Sequence, residues 1–266
     1  MGDHEVKKQQ YICKVIQLGT MMDLTDDTLT VSPTGNSVAM LEKIYKAYES
    51  WTGQYQFACC RGCTACCTQS VTMTTLEGEQ IIEYLRENGK LDRLDSMLAA
   101  SRPTVRSVQT TNQFAADCLA QEKLLPEEGE WDFTPCVFLA RDLCTIYPVR
   151  PFGCRSFSST VNCDVHGCAE APPVLITVNT VVLQIIEHLN SGGGFWGNMT
   201  DILRYLLAGK EKALEARLLP AQANPGFLIP QEEMQEVAAF FARINGLNRK
   251  GENLGGLLRG MSGGSD

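Results

Sequence analysis

The sequence predicts a mainly α protein: a helical domain around an irregular, cysteine-rich core segment organised by metal. Three observations carry this expectation. Apolar residues recur at helical spacing in several separate stretches, and capping and breaking residues bound those stretches. Five of the twelve cysteines fall within nine residues, Cys59-Cys60-Arg61-Gly62-Cys63-Thr64-Ala65-Cys66-Cys67. With 266 residues, 44% of them hydrophobic, the chain can bury a substantial core as one large domain or two small ones, without needing disulfides to fold.

Residues 1–35 mix short apolar stretches with turn formers and sustain no period, so an irregular leader is expected there. Over residues 37–51, Val38, Leu41, Ile44, Tyr48 and Trp51 recur at near-helical spacing. Asn36 or Ser37 can cap the start of this helix and Gly53 follows its end, so it delivers the chain into the cysteine nest. Beyond the nest, Thr74 with Glu77 three residues on has the form of a capping box, and Ile81, Ile82 and Leu85 line one face until Gly89. Residues 91–123 predict two helices divided near Pro103, because proline removes a donor and crowds the preceding turn. Cys118, in the second of these, is expected as a small buried side chain rather than a ligand.

Residues 131–168 are rich in aromatic residues, proline, glycine and cysteine and hold no period long enough for a regular helix. The dense apolar run at 172–189, led by Pro172 and Pro173, suits a buried helix; its valines and isoleucines would also suit a strand, and its length decides for helix. Ser191-Gly192-Gly193-Gly194 is a break, followed by helical patterns at 199–207 and 231–244 with the Asn224-Pro225-Gly226 turn between them. The expected organisation is thus a leader at 1–35, one helical cysteine-cluster domain at 36–245 with its metal-binding segment at 57–168, and a mobile, glycine-rich tail at 246–266.

Charge and hydropathy narrow the function classes. A net charge of -8 argues against a nucleic-acid surface, which needs lysine and arginine to neutralise phosphates. The longest apolar run, at 174–186, is too short to span a bilayer and contains Asn179 and Gln184, so no membrane partner is expected. The charged start, from Met1 to Lys8, lacks the apolar stretch of a secretory leader, and a cytoplasmic location is expected. A protein partner for the helical regions stays open.

Packed thiols are soft, readily deprotonated ligands, and without a metal they would be an oxidation hazard in return for no packing benefit. Cys60-x-x-Cys63-x-x-Cys66 has the opening spacing of ferredoxin [4Fe-4S] loops, which require a fourth thiolate from elsewhere. Zinc sites more often use two separated C-x-x-C pairs, so the even triplet favours an iron-sulfur cluster, with zinc as the alternative cofactor. Cys66 and Cys67 are adjacent, and their side chains are expected to diverge, one of them toward a second metal or the core. Cys59, outside the pattern, reads as packing or a spare thiol. Cys136, Cys144, Cys154, Cys163 and Cys168 follow in a proline-punctuated stretch that supplies distant ligands.

These residues together carry a resemblance. Cys60-x-x-Cys63-x-x-Cys66-Cys67 with Pro135-Cys136, Cys144-x-Ile146-Tyr147 and Arg150-Pro151-x-x-Cys154-Arg155-x-Phe157 resembles the YkgJ-type cysteine-cluster family of zinc- or iron-chelating domains, over roughly residues 57–160. The resemblance implies metal chelation by Cys60, Cys63, Cys66, Cys67, Cys136, Cys144 and Cys154. Flagellin lysine methylases look similar in carrying a related cluster, which keeps protein modification open, although no S-adenosylmethionine motif is recognisable: Gly192-Gly193-Gly194 has neither a preceding strand nor phosphate-loop spacing.

Arg150 and Arg155 bracket Cys154, where a guanidinium can donate to ligand sulfurs and offset thiolate charge, or bind an anionic substrate. The first reading is preferred because outer partners accompany nearly every metal site. Tyr147 can hydrogen-bond a sulfur or pack against the site. His166, between Cys163 and Cys168, reads either as a ligand or as a solvent-facing loop histidine, and His188 reads as a partly buried imidazole. Neither histidine lies in a nucleophile motif, and no catalytic residue is assigned.

Overall fold

The computed structural model describes residues 35–101, 107–120, 133–212 and 217–246. Helices α1 (Gly35–Thr52), α2 (Thr75–Glu87), α3 (Leu94–Ala99) and α4 (Thr111–Leu119) come first, with short strand β1 (Thr72–Thr74) ahead of α2. The cysteine-rich stretch holds the hairpin β2 (Leu139–Ala140) and β3 (Leu143–Cys144) and the short helices α5 (Phe152–Ser156) and α6 (Cys163–His166). Helix α7 (Pro173–Leu189), strand β4 (Phe195–Asn198), α8 (Met199–Leu207), β5 (Leu219–Pro220) and α9 (Met234–Gly246) follow. The architecture is mainly α, as the periodicities imply. No helix among the described residues is long and apolar enough to cross a membrane.

Two apolar clusters hold the helices. Met40, Leu41, Ile44, Tyr48 and Trp51 of α1 pack with Val178, Val181, Val182 and Ile185 of α7 and Val237, Phe240 and Ile244 of α9. Val38 stands outside this face, 36% exposed, because the buried stripe runs through Met40, Leu41 and Ala47 instead. Ile81, Ile82 and Leu85 of α2 form the second cluster with Leu94 and Leu98 of α3, Ile202 and Leu203 of α8, and Phe138 and Ile146 from the cysteine-rich stretch.

The capping box at Thr74 and Glu77 forms in both directions. Gly89 closes α2 at φ +63°, a conformation glycine adopts without Cβ strain. Residues 91–123 give two short helices, α3 and α4; Pro103 itself, the leader up to residue 34 and the tail from residue 247 lie outside the described residues. Cys118 is buried beside Ala115 and Leu228 and is disulfide-bonded, a covalent role its isolated position in the sequence does not announce.

The polar breaks in α7 are latches rather than flaws. Glu187 is fully buried, and its carboxylate accepts the backbone N–H groups of Asn112 and Gln222, both at 2.8 Å. Gln184 donates to Asn224 Oδ1 at 3.1 Å and to the Gly226 carbonyl at 2.7 Å, holding the Asn224-Pro225-Gly226 turn against the helix. A small antiparallel sheet, β1-β4-β5, which no alternation in the sequence announces, pairs Thr72 with Asn198 and Trp196 with Leu219. Strands of two to four residues are too short to show an alternation, and β1 lies against Gly153 of the cysteine stretch.

Candidate metal centre

The two cysteine stretches are joined by backbone, before any sulfur is considered. The nest is a succession of tight turns: the Cys63 N–H donates to the Cys60 carbonyl at 3.0 Å and the Cys67 N–H to the Thr64 carbonyl at 2.9 Å. Gly62, at φ +89°, permits the first of them. The chain then runs antiparallel to residues 134–136, with the Cys136 N–H bonded to the Cys67 carbonyl at 2.9 Å and the Gln69 N–H to the Thr134 carbonyl at 3.0 Å. This pairing carries Cys136 to the side of Cys67 across nearly seventy residues of sequence.

From Cys136 the chain enters the β2–β3 hairpin, closed by Arg141 and Asp142 at φ 51° and 60°. Two consecutive left-handed residues match the twist of a two-residue hairpin, at a cost of about 1 kcal/mol or more for each side chain lacking glycine's freedom. The hairpin is pinned by Phe138 and Ile146, both buried. The same pins bring amides to sulfur: the backbone of Phe138 hydrogen-bonds the Cys136 thiol, and that of Ile146 the Cys144 thiol. Amide donation to sulfur favours the thiolate, the form a metal binds.

The run Arg150-Pro151-Phe152-Gly153-Cys154-Arg155 resolves into a role for each residue. Phe152 is fully buried, edge-on to Tyr48 at 4.8 Å between centroids, and its N–H donates to Glu77 Oε1 at 2.7 Å. Gly153 lies against the sheet: a Cβ there would stand 2.8 Å from the Thr72 carbonyl oxygen, so only glycine allows this approach. Cys154 follows on the cavity side. Arg155 clamps the turn, donating to the carbonyls of Arg150 at 3.0 Å and Pro148 at 2.8 Å and to Glu49 Oε1 at 2.5 Å, with its guanidinium 4.2 Å from the Tyr45 ring centroid.

These elements enclose a cavity of about 680 Å³ whose wall includes Cys60, Cys63, Cys66, Cys67, Cys136, Cys144 and Cys154, together with Tyr147, Arg150 and Arg155. All seven cysteines and all three flanking residues singled out in the sequence thus face one space. Cys66 and Cys67 do not diverge as neighbouring side chains ordinarily would. The turn through Thr64 and a Thr68 N–H bond to the Cys66 carbonyl at 3.0 Å bend the chain there, and the two thiols hydrogen-bond each other. That bond raises Cys66 and lowers Cys67. Burial pushes Cys136 up to about 11 and Cys154 higher still.

Arg150 supplies the opposing charge. It lowers Cys66, Cys144 and Cys154 against those upward pressures, and its guanidinium sits 3.9 Å from the Tyr147 ring centroid. Its Nε is buried and has no acceptor among the described residues, so one N–H donor beside the thiols is uncommitted. Desolvated thiols, amide donors aimed at sulfur and a spare guanidinium N–H make a donor set suited to a thiophilic cation. Among the described residues, no three His, Cys, Asp or Glu side chains already stand close enough to clasp an ion, so the sulfurs ring the cavity rather than converge.

The remaining candidates separate from this wall. Cys59 also borders the cavity, yet its sulfur accepts the Ser159 N–H at 3.3 Å and it shares an electrostatic neighbourhood with Cys63 and Cys163. Cys163 begins α6, while His166 and Cys168 are solvent-exposed. His188 lies on α7, its pKa lowered by burial, and its Nδ1 accepts the Asn224 N–H at 3.4 Å. Glu49, which positions Arg155, has no signal in the sequence, and Glu77, which positions Phe152, carries a capping signal but nothing that announces its reach to residue 152.

Comparison with known proteins agrees with the motifs. Residues 59–172 match the model of the CxxCxxCC family, a zinc- or iron-chelating domain in its provisional description. No curated protein and no solved structure is significantly similar to the chain.

Proposed function

We propose that this chain, whose residues 59–172 match the CxxCxxCC family, holds an iron-sulfur cluster, of the [4Fe-4S] type, for a redox, structural or sensing role. Metal binding is the coarser statement, and the family match supports it. The observation that carries the finer one is the common cavity: the evenly spaced Cys60, Cys63 and Cys66 border the same space as Cys136, Cys144 and Cys154, which offers the fourth ligand the triplet lacks. When bound, such a cluster supplies one-electron chemistry at a potential set by hydrogen bonds to sulfur and by solvent access.

The chain's own residues would do the rest. Cys60, Cys63, Cys66, Cys67, Cys136, Cys144 and Cys154 offer the sulfurs; Arg150 offsets thiolate charge and offers its Nε–H to a sulfur; Tyr147 screens the opening. Arg155 holds the Cys154 turn in place through its bonds to Pro148, Arg150 and Glu49.

The zinc alternative has its own support. The Cys136 and Cys144 thiols each take an amide from two residues on, an arrangement suited to offering two ligands to one tetrahedron. Protein purified without oxygen decides between the two. Iron and acid-labile sulfide with broad visible absorption are expected; a colourless, zinc-loaded protein would replace the cluster with a structural zinc, and a metal-free protein would overturn both.

A further inference from the structure

We infer that the cysteine nest has two working faces and that a second thiophilic divalent cation binds on the outer one, held by Cys59, Cys60, Cys63 and Cys163. The inference goes beyond the centre proposed above and does not require that centre to be an iron-sulfur cluster. A second cavity of about 250 Å³ adjoins the first cysteine turn, and its wall includes these four cysteines with Arg61 and Asp164, ringed about the space rather than converged. Cys59, Cys60 and Cys63 border both cavities, so the first cysteine turn is shared by the two spaces. A sulfur that borders two spaces can present lone pairs to either, and thiolates bridge soft cations readily.

Three further features fit a site there. The Cys59 sulfur accepts the Ser159 N–H at 3.3 Å, the outer-shell donation that orients and stabilises a ligating thiolate. Ser159 is itself fixed: its hydroxyl donates to the Val161 carbonyl at 2.7 Å and accepts the Glu170 N–H at 3.0 Å, so the loop leading to Cys163 is braced against the nest. The Ala58 N–H closes the same junction on the Ser159 carbonyl at 2.8 Å. Asp164 adds a carboxylate on the same wall, a harder donor available should a thiolate be shared with the inner centre.

Reduced, metal-free full-length protein titrated with cobalt(II) tests this by counting equivalents that give sulfur-to-cobalt charge-transfer absorption. Two equivalents per chain are expected for the unaltered protein and one for Cys59→Ser/Cys163→Ser. Cys136→Ser/Cys144→Ser should lose the inner equivalent and keep the outer one. Circular dichroism confirms that each variant is folded, and Cys59→Ala/Cys163→Ala repeats the count without a hydroxyl that could replace a ligand. One equivalent in the unaltered protein, or an unchanged count in the Cys59/Cys163 variants, would overturn the second site. So would simultaneous loss of both equivalents in those variants, which would mean a single centre. Failure of the iron-sulfur proposal would appear separately, in the iron and sulfide content of the purified protein.

Discussion

The helical frame and the cysteine-rich stretch are held together by different physics. In the frame, α1, α7 and α9 interlock through side chains almost wholly withdrawn from water, with Leu41, Ile44, Val181, Val182 and Phe240 all buried. In the cysteine-rich stretch, Tyr147 is 57% exposed, Phe157 54% and Val165 77%, and the anchors that reach a core are few: Phe138, Ile146 and Phe152. Burial at about 25 cal/mol per Å² can hold the frame unaided. The stretch instead leans on backbone pairing and the Arg155 clamp, so a cation gathered by its thiols is expected to couple to its order in a way it does not couple to the frame's.

The largest effect expected comes from the residue that joins the two regions. Phe152→Ala should cost about 3–5 kcal/mol, as should Phe240→Ala in the frame, because each removes a fully buried aromatic ring. Metal separates them. Chemical denaturation of Phe240→Ala should show the same loss with or without chelator, whereas Phe152→Ala should also lower bound metal, since Cys154 lies two residues away. Equal metal content in both variants would erase the distinction between the regions.

Next is Glu77, whose buried carboxylate accepts the Phe152 and Thr74 N–H groups, at 2.7 and 2.8 Å, and the Tyr45 hydroxyl at 2.8 Å. Glu77→Ala leaves these donors unmet and should cost about 2–3 kcal/mol, with Glu77→Gln recovering part of it. Gly153→Ala should cost about 1–3 kcal/mol, because the added methyl meets the Thr72 carbonyl, a backbone atom of the sheet that cannot rotate aside. Its metal content should fall more than its stability does, which elemental analysis and a denaturation curve together would show.

The same contrast explains what could be read from the sequence. The frame was legible because helices write their burial at regular spacing: 172–189 and 199–207 appear as α7 and α8 almost to the residue, and the Thr74–Glu77 capping box forms as drawn. The nest was legible because five thiols within nine residues have few other uses. The joints were not. Phe152 sits in no period, the partner of Arg155 is Glu49, more than a hundred residues earlier, and spacing alone contains nothing about the side to which each thiol of a turn faces. The mutual bond of Cys66 and Cys67 follows from two turns that only the folded backbone reveals.

The smallest effect separates the regions by pH. In the metal-free protein, burial holds the Cys136 thiol at about 11 and Cys154 above that, while thiols in an unfolded chain ionise near about 8.5. Below that point Cys136 and Cys154 keep their protons in both states and add no slope of their own. Above it the unfolded ensemble releases protons that the folded state retains, so stability falls as pH rises. The frame has an analogue in Tyr45 and Tyr48, both raised by burial, but unfolded tyrosines release protons only near about 10. Between about pH 8.5 and 10 the slope therefore belongs to the cysteine-rich stretch, and Cys136→Ser should flatten it. Metal inverts the sign: a bound cation requires thiolates, so affinity should weaken as pH falls and competing protons return. Urea midpoints of metal-free protein across that window, with metal binding followed toward acid, check both slopes; a metal-free midpoint that rises with pH would contradict the buried thiols.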